Sequence, residues 1–551
     1  MALPFDLTSL AQSALLTARI LPFRLPFSRA LFANQSRAFP LIQPKKLWPG
    51  DAQNGDRLTK GHFRFAGRQV YMGGTTWYPA EVNEEWLKRL HGFNWLDDLR
   101  AAGDARAKAT ARALCQHWIE DHGRYRRKSW EPVTLATRLT QWMAHFDFLS
   151  STADPDLQRL LLRSTQQQYI YLNQVIPGKL TGSSLLRGLK ALLIVGLCLP
   201  GSGKAIAKAL RFLEKTLEKQ ILPDGSHVER CPATHMRILL DLLDIRAALA
   251  LASMPIPEWL QRALSNSAGF LRMLQHGDGR LANFHGEPLL SARLISEALE
   301  RADNGQTPIA PSGGASGFHR LRAGRTLVLV DGGRSKHHDR LFPAHASSLA
   351  LELSIGPVRL VTNCGNFDLG EDWRKLQRTT AAHSTLIWSD RNSAELLDNG
   401  NLGRMPSQVM ARQAEDEGHI YLSLSHDGYA TIGGGTHYRT LSLRKDGKVL
   451  EGEDRLEAAE GGEPLVRFHL NPQVRAEMTQ TRRSSLLRLS ARERGWRFEV
   501  SGGILQIAES VVADEKGLPQ RAQQLIIAPA YDGLAPEDRA MRWRFYQEGA
   551  L

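Results

Sequence analysis

The sequence predicts a multidomain α then β chain, a helical part followed by an antiparallel β-sandwich. Three observations predict it. Apolar residues recur at three- and four-residue spacing from about Glu84 to Arg301, a stretch rich in Gly, Pro and Ser follows Gln306, and short strand-like runs without intervening helices fill the remainder. At 551 residues the chain exceeds what one core usually organises. Its 42% apolar and 23% charged residues are ordinary globular chemistry, which excludes disordered and fibrous classes.

In the helical part, residues 104–121, 133–149, 156–176, 183–198, 203–221, 233–253, 257–275 and 288–302 keep helical periodicity between breaks at Pro or Gly. Their similar lengths and short connections predict antiparallel pairs wrapping into a curved array. The segment GQTPIAPSGGASG ends that pattern. The domains therefore read as an N-terminal segment over 1–83, a helical domain over 84–305 and a sheet domain over 306–551. In the last, RTLVLVD, SLALELS, PVRLVTN, HSTLIWS, HIYLSLS, HYRTLSL, VLEGEDRL, LVRFHL, SLLRLSA and WRFEV read as strands, with turn signals such as Lys445-Asp446-Gly447 between them.

No run reaches the roughly 18 uninterrupted apolar residues that span a bilayer. The first thirty or so residues lack an early basic region, and Arg19, Arg24 and Arg29 interrupt their apolar positions. That pattern suits a docked helix or a surface-lying amphipathic segment better than a cleavable signal. The cysteines Cys115, Cys198, Cys231 and Cys364 form no C-x-x-C pair and read as free, buried thiols. With 70 Lys and Arg against 57 Asp and Glu, the formal charge of +13 suits an anionic partner. No basic recognition helix or RNA-binding motif accompanies that charge, so nucleic acid is not the expected partner.

The stretch from Pro343 to Asp390 sets His345, Asn363 and His383 among strand-like runs, where they project from neighbouring strands of one sheet. Together with DGSHVERCPATH at 224–235, HDGYATIGGGTHYRTLSL at 426–443 and RFHLNP at 467–472, it resembles the heparinase II/III-like polysaccharide lyases over roughly residues 85 to 530. Their C-terminal domains carry a comparable H-A-x-x-L-x-x-E-L run and an A-H-[NS]-T strand. The resemblance implies an incomplete α/α toroid joined to the β-sandwich, with an acidic, uronate-containing polysaccharide held between them and cleaved by β-elimination. It also implies the periplasm or cell envelope, with the cytoplasm as the alternative because no clear export signal is seen.

β-Elimination removes a weakly acidic proton beside a carboxylate, so the developing charge needs Asn, His, Arg or a metal. A His or Tyr serves as base, and a Tyr or His protonates the leaving oxygen. Carried over residue by residue, the resemblance puts Ser183 and Ser184 where the family has Asn-His, Thr234 where it has Tyr, and Pro343 where an H-A-H run begins. The candidate catalytic residues that survive are His235 and Tyr429, with His227 and Arg230 after the Pro223-Asp224-Gly225 turn. Asn283 and His285 in DGRLANFHG, Trp373 with Arg378, and His437 with Arg439 are candidates for substrate binding. The resemblance puts metal ligands at His345, Asn363 and His383. Two imidazoles suit a structural zinc, an amide in place of the family's carboxylate removes a charge, and a hydrogen-bonded cluster is the other reading. The replaced positions also support a second function, an acidic-glycan-binding or envelope assembly protein without catalysis.

Overall fold

A computed structural model describes residues 17–23, 39–73, 77–150, 155–286, 290–334, 344–457, 461–479, 484–488, 495–530 and 539–550. The chain divides into two compact units. One comprises Met1–Lys219 with Leu240–Arg262, and the other comprises Gln220–Leu239 with Ala263–Leu551.

Several helices of the first unit begin where a polar side chain satisfies free N–H groups, and some stop where the backbone turns left-handed. Asp104 opens Ala105–His122 by accepting the Ala107 N–H at 2.6 Å. Asn83 opens Glu84–Gly92, which ends at Phe93 with φ 61°. Pro132 occupies the first turn of Pro132–Ala144, where its missing N–H costs nothing. This last helix packs on Glu84–Gly92, Pro155–Val175 and Gly182–Cys198. Periodicity over 133–149 predicts one helix, yet the structure breaks it at His145, whose φ of −108° leaves the helix while its Nε2 lies 2.8 Å from Asp97 Oδ1. Gly182–Cys198 is buried on most of its circumference, as its apolar run requires. Its buried Lys190 donates to Asp241 at 2.6 Å and Asp244 at 2.5 Å.

Among its described residues the second unit holds two eight-stranded sheets, antiparallel throughout. One runs Gly503–Ala513, Pro519–Pro529, Pro464–Leu470, Val358–Thr362, Leu351–Ile355, Thr326–Asp331, Phe318–Ala323, with Leu386–Trp388 also paired to Pro464–Leu470. The other runs Arg475–Met478, Ser484–Arg488, Trp496–Ser501, Ala540–Gln547, Val449–Glu457, Gly435–Arg444, His419–Tyr429, Val409–Glu415. Side chains from both sheets, among them Leu351, Leu441, Phe468, Phe498, Trp543 and Phe545, make one apolar core. Burial alternates along Gly435–Arg444, so His437, Arg439, Leu441 and Leu443 face inward. Thr326–Asp331 and Leu351–Ile355 are instead buried along their whole length. Each carries one acid, Asp331 or Glu352, that cannot reach water and must find partners inside.

Candidate functional site

Asp331 gathers four of the residues that the sequence singles out. Arg230 reaches it through Nη2 and donates from Nε to Ser316 O at 2.7 Å, its guanidinium lying 4.8 Å over the Phe318 ring. His285 Nε2 and Ser347 Oγ each lie 2.9 Å from Asp331 Oδ2. Burial opposes ionisation of Asp331, but Arg230 and His285 outweigh it and hold the carboxyl well below the usual carboxylate range. His285 Nδ1 accepts the His345 N–H at 3.1 Å, so its proton sits on the Nε2 that faces Asp331. His345 Nε2 accepts the Gly286 N–H at 3.1 Å, and its Nδ1 lies 3.1 Å from His383 Nε2. His383 Nδ1 in turn donates to Thr379 O at 2.8 Å. His345 and His383 thus have both ring nitrogens hydrogen-bonded, while His285 turns its Nε2 to the Asp331 carboxylate. Burial above all keeps both distal imidazoles neutral, pushing His383 down to about 4 and His345 well below its ordinary value.

Glu352 organises a second network, and Asn363 belongs to it. Glu352 Oε1 accepts from Asn363 N at 3.0 Å and Nδ2 at 3.2 Å, while Oε2 meets His276 Nε2 at 2.9 Å and the Asn283 N–H at 3.2 Å. Asn363 Oδ1 takes the Ser384 N–H at 2.9 Å. Both ends of the Asn363 amide are used, and the facing nitrogens of His345 and His383 share one hydrogen bond. Among the described residues no three His, Cys, Asp or Glu side chains are grouped to hold a metal. The donor set does not fit a tetrahedral site of three or four anionic or imidazole ligands.

The remaining candidates lie apart from these networks. His437 Nε2 lies 2.7 Å from Asp454 Oδ1, and His437 Nδ1 lies 3.2 Å from His426 Nε2. Arg439, the cross-strand partner of Asp454, donates to it at 2.7 and 3.1 Å, and Trp543 Nε1 adds a third donor at 2.8 Å. Both His437 and Arg439 are 0% exposed, held in the sandwich by that carboxylate. Tyr429 is likewise 0% exposed and donates its hydroxyl to Leu386 O at 3.0 Å; burial pushes its phenol well above the ordinary range. His227 bridges Gln220 Oε1 at 2.9 Å and the Glu229 N–H at 3.2 Å. His235 stacks on Phe270 at 5.4 Å with neither ring nitrogen bonded among the described residues, and burial takes it down to about 3. Trp373 packs on Phe367 at 4.9 Å, and Arg378 is buried with its guanidinium donating to Ala344 O at 3.0 and 3.1 Å. Pro343 lies outside the described residues.

Three anchoring acids, Asp331, Glu352 and Asp454, are not singled out by the sequence reading. An acid inside an apolar strand, as in RTLVLVD and SLALELS, is the signal that would have found two of them. A basic loop is also missed: Arg124, Arg126, Arg127 and Lys128 in HGRYRRK all stand exposed between two helices of the first unit.

Comparison with known proteins agrees with this architecture. Residues 58–258 match the heparinase II/III N-terminus, and residues 305–544 match the heparinase II/III-like C-terminal domain. FtsZ-localized protein C of Caulobacter vibrioides (strain NA1000 / CB15N) is 29% identical over 91% of this chain and 89% of its own. Among solved structures, heparinase III superposes with a TM-score of 0.74 at 14% identity, covering 99% of this chain and 92% of that one. A mutant of the heparan sulfate lyase HepC from Pedobacter heparinus gives 0.61 at 16% identity, covering 98% and 88%. These likenesses establish an incomplete α/α toroid followed by an antiparallel β-sandwich. With both of its domains matched in order, the chain belongs to the heparinase II/III-like family and has a polysaccharide-lyase-like scaffold.

Proposed function

We propose that this protein is a non-catalytic binding and assembly protein of the cell envelope, which recognises an acidic polysaccharide without cleaving it. One observation carries the reading: no candidate proton-transfer group offers a lone pair to a substrate. A base must reach the proton it removes through a free nitrogen or oxygen. His227, His345, His383 and His437 have both ring nitrogens engaged, and His285 accepts at Nδ1 and faces Asp331 with Nε2 at 2.9 Å. His235 and Tyr429 are 1% and 0% exposed. The likeness to a protein named for its localisation with FtsZ supports an assembly role. The net charge of +13 and the exposed cations from Arg124 to Lys128 support recognition of a polyanion.

A second reading, a lyase acting on a uronate-containing glycan, is favoured by one observation. Arg230 Nη1 is buried with no acceptor among the described residues, and a uronate carboxylate would supply one. Fluorescence anisotropy with labelled heparin and chondroitin sulphate, at low and high salt, tests the binding function. The expected result is salt-sensitive binding that weakens when Arg124, Arg126, Arg127 and Lys128 are changed together to Ala. A folded protein that binds neither polyanion rejects it.

A further inference from the structure

We propose that the second unit carries a separate binding site for an uncharged, hydroxyl-rich ligand of the neutral sugar class, in a cavity that belongs to none of the networks above except through their outer edge. The cavity measures about 430 Å³, within the roughly 300–1,000 Å³ of small-molecule sites. It forms where three loops and a hairpin meet. They are the segment before Asn283, the one after Thr362, the turn at Asn471–Gln473, and the hairpin that joins Gly503–Ala513 to Pro519–Pro529.

Amides and paired charges share its polar wall. Asn283, Asn366, Asn471, Gln473 and Gln520 line it, and each side chain offers both a donor and an acceptor, the pairing that a sugar hydroxyl requires. Asn366 is 4% exposed, its Nδ2 is held by His285 O at 3.3 Å, and its Oδ1 has no donor among the described residues. That oxygen is sealed from the cavity, so the half-buried Asn283 and the exposed Gln520 are amides that a ligand can reach. Leu290, Pro472 and Val512 add an apolar strip for the C–H face of such a ligand.

The charges on the wall argue against an acidic one. Arg359 is held by both oxygens of Asp278, at 2.9 and 3.2 Å, and Arg280 is paired with Glu515. Asp514 accepts from Lys516 N and Leu518 N of its own turn, at 2.8 and 2.9 Å. Three carboxylates thus face two guanidiniums, with the buried Glu352 just behind Thr362 at 3.1 Å. This wall is slightly acidic on a chain whose net charge is +13, so a uronate or sulphate would be repelled. The cavity is also preformed. Asp368 N donates to Gly517 O at 2.9 Å and Ala513 N to Cys364 O at 2.8 Å, fixing the hairpin to the opposite wall, so little ordering is left for binding.

Saturation-transfer NMR and calorimetry on the full chain test the proposal, with cellobiose and N,N′-diacetylchitobiose as uncharged probes and a chondroitin disaccharide as the acidic one. At least one uncharged probe should bind, with little dependence on salt. Asn283→Ala and the exposed Gln520→Ala should each weaken it by about tenfold, the loss of one good hydrogen bond, without moving the thermal transition of the protein. Failure of both uncharged probes to bind, binding that survives both substitutions, or stronger binding of the acidic disaccharide at this wall would each overturn it. None of these results depends on whether the protein cleaves or assembles on acidic glycans.

Discussion

Acidification from pH 7.5 to 5.5 should destabilise the second unit severely, because its buried histidines cannot take up the proton that the unfolded chain accepts. Burial is the leading cause of each depression. It takes His235 and His469 down to about 3 and His383 to about 4, and leaves His345 and His426 well below the ordinary 6.5. A histidine whose folded value is lowered binds fewer protons folded than unfolded below 6.5. Its contribution to stability is therefore full above 6.5 and is lost as the pH falls from there towards the folded value. At pH 5.5 the loss is about 1.4 kcal/mol for each such group, or about 7 kcal/mol for the five. Asp331 and Asp454, held low by their cationic partners, keep their contribution above about pH 4 and lose it only below, so they leave this window to the histidines. A loss of about 7 kcal/mol is comparable to the 5–15 kcal/mol that holds most domains folded. With a urea slope of about 3 kcal/mol per molar, the midpoint read by tryptophan fluorescence should drop by about 2 M. His235→Phe, which keeps the stacking on Phe270 and removes one titrating group, should recover about a fifth of that drop. An unchanged midpoint between the two pH values would mean that these imidazoles charge freely in the folded protein, and the closed networks would be refuted.

Two further outcomes follow from the same networks. Asp331→Asn leaves the Arg230 guanidinium buried without a counter-charge and should cost about 3–5 kcal/mol, seen as a urea midpoint lowered by about 1 M or more at pH 7.5. Chelator treatment should leave the thermal transition unmoved, and protein desalted after exposure to zinc should retain less than a stoichiometric amount by atomic emission, since His345 and His383 spend their facing nitrogens on each other; a chelator-induced loss of stability would show that the pair opens to a metal.

Much of the fold was legible because periodicity reports local structure. The apolar spacing over 104–121 and 156–176 becomes helices Ala105–His122 and Pro155–Val175, within a residue at each end. Of the prediction over 288–302, residues 288 and 289 lie outside the described residues, and Ser291 caps the observed helix Ala292–Asp303. Site residues were legible as types more than as a constellation. Arg230, His285, His345 and His383 do converge, but only through Asp331, whose side chain reads in sequence as the polar end of a strand. Asp454 sits in VLEGEDRL, a run with three other charges; only its cross-strand register against Arg439 reveals that it is buried. Asn363 stands at an expected ligand position, yet its amide turns to Glu352, a choice made by strand pairing that spacing cannot show. The cavity with Asn283 and Asn366 draws on segments more than 200 residues apart, so it is invisible until the chain is folded.

If the buried and engaged proton-transfer groups are closed to substrate, this polysaccharide-lyase-like scaffold should perform no elimination. Following the ultraviolet absorbance of the unsaturated uronate, while purified protein is incubated with a panel of uronate-containing polysaccharides with and without zinc, tests it most directly. A flat trace is expected on every substrate, including any polysaccharide that binds. A steady rise on a single one, abolished by Arg230→Ala, would contradict it and establish the protein as a lyase.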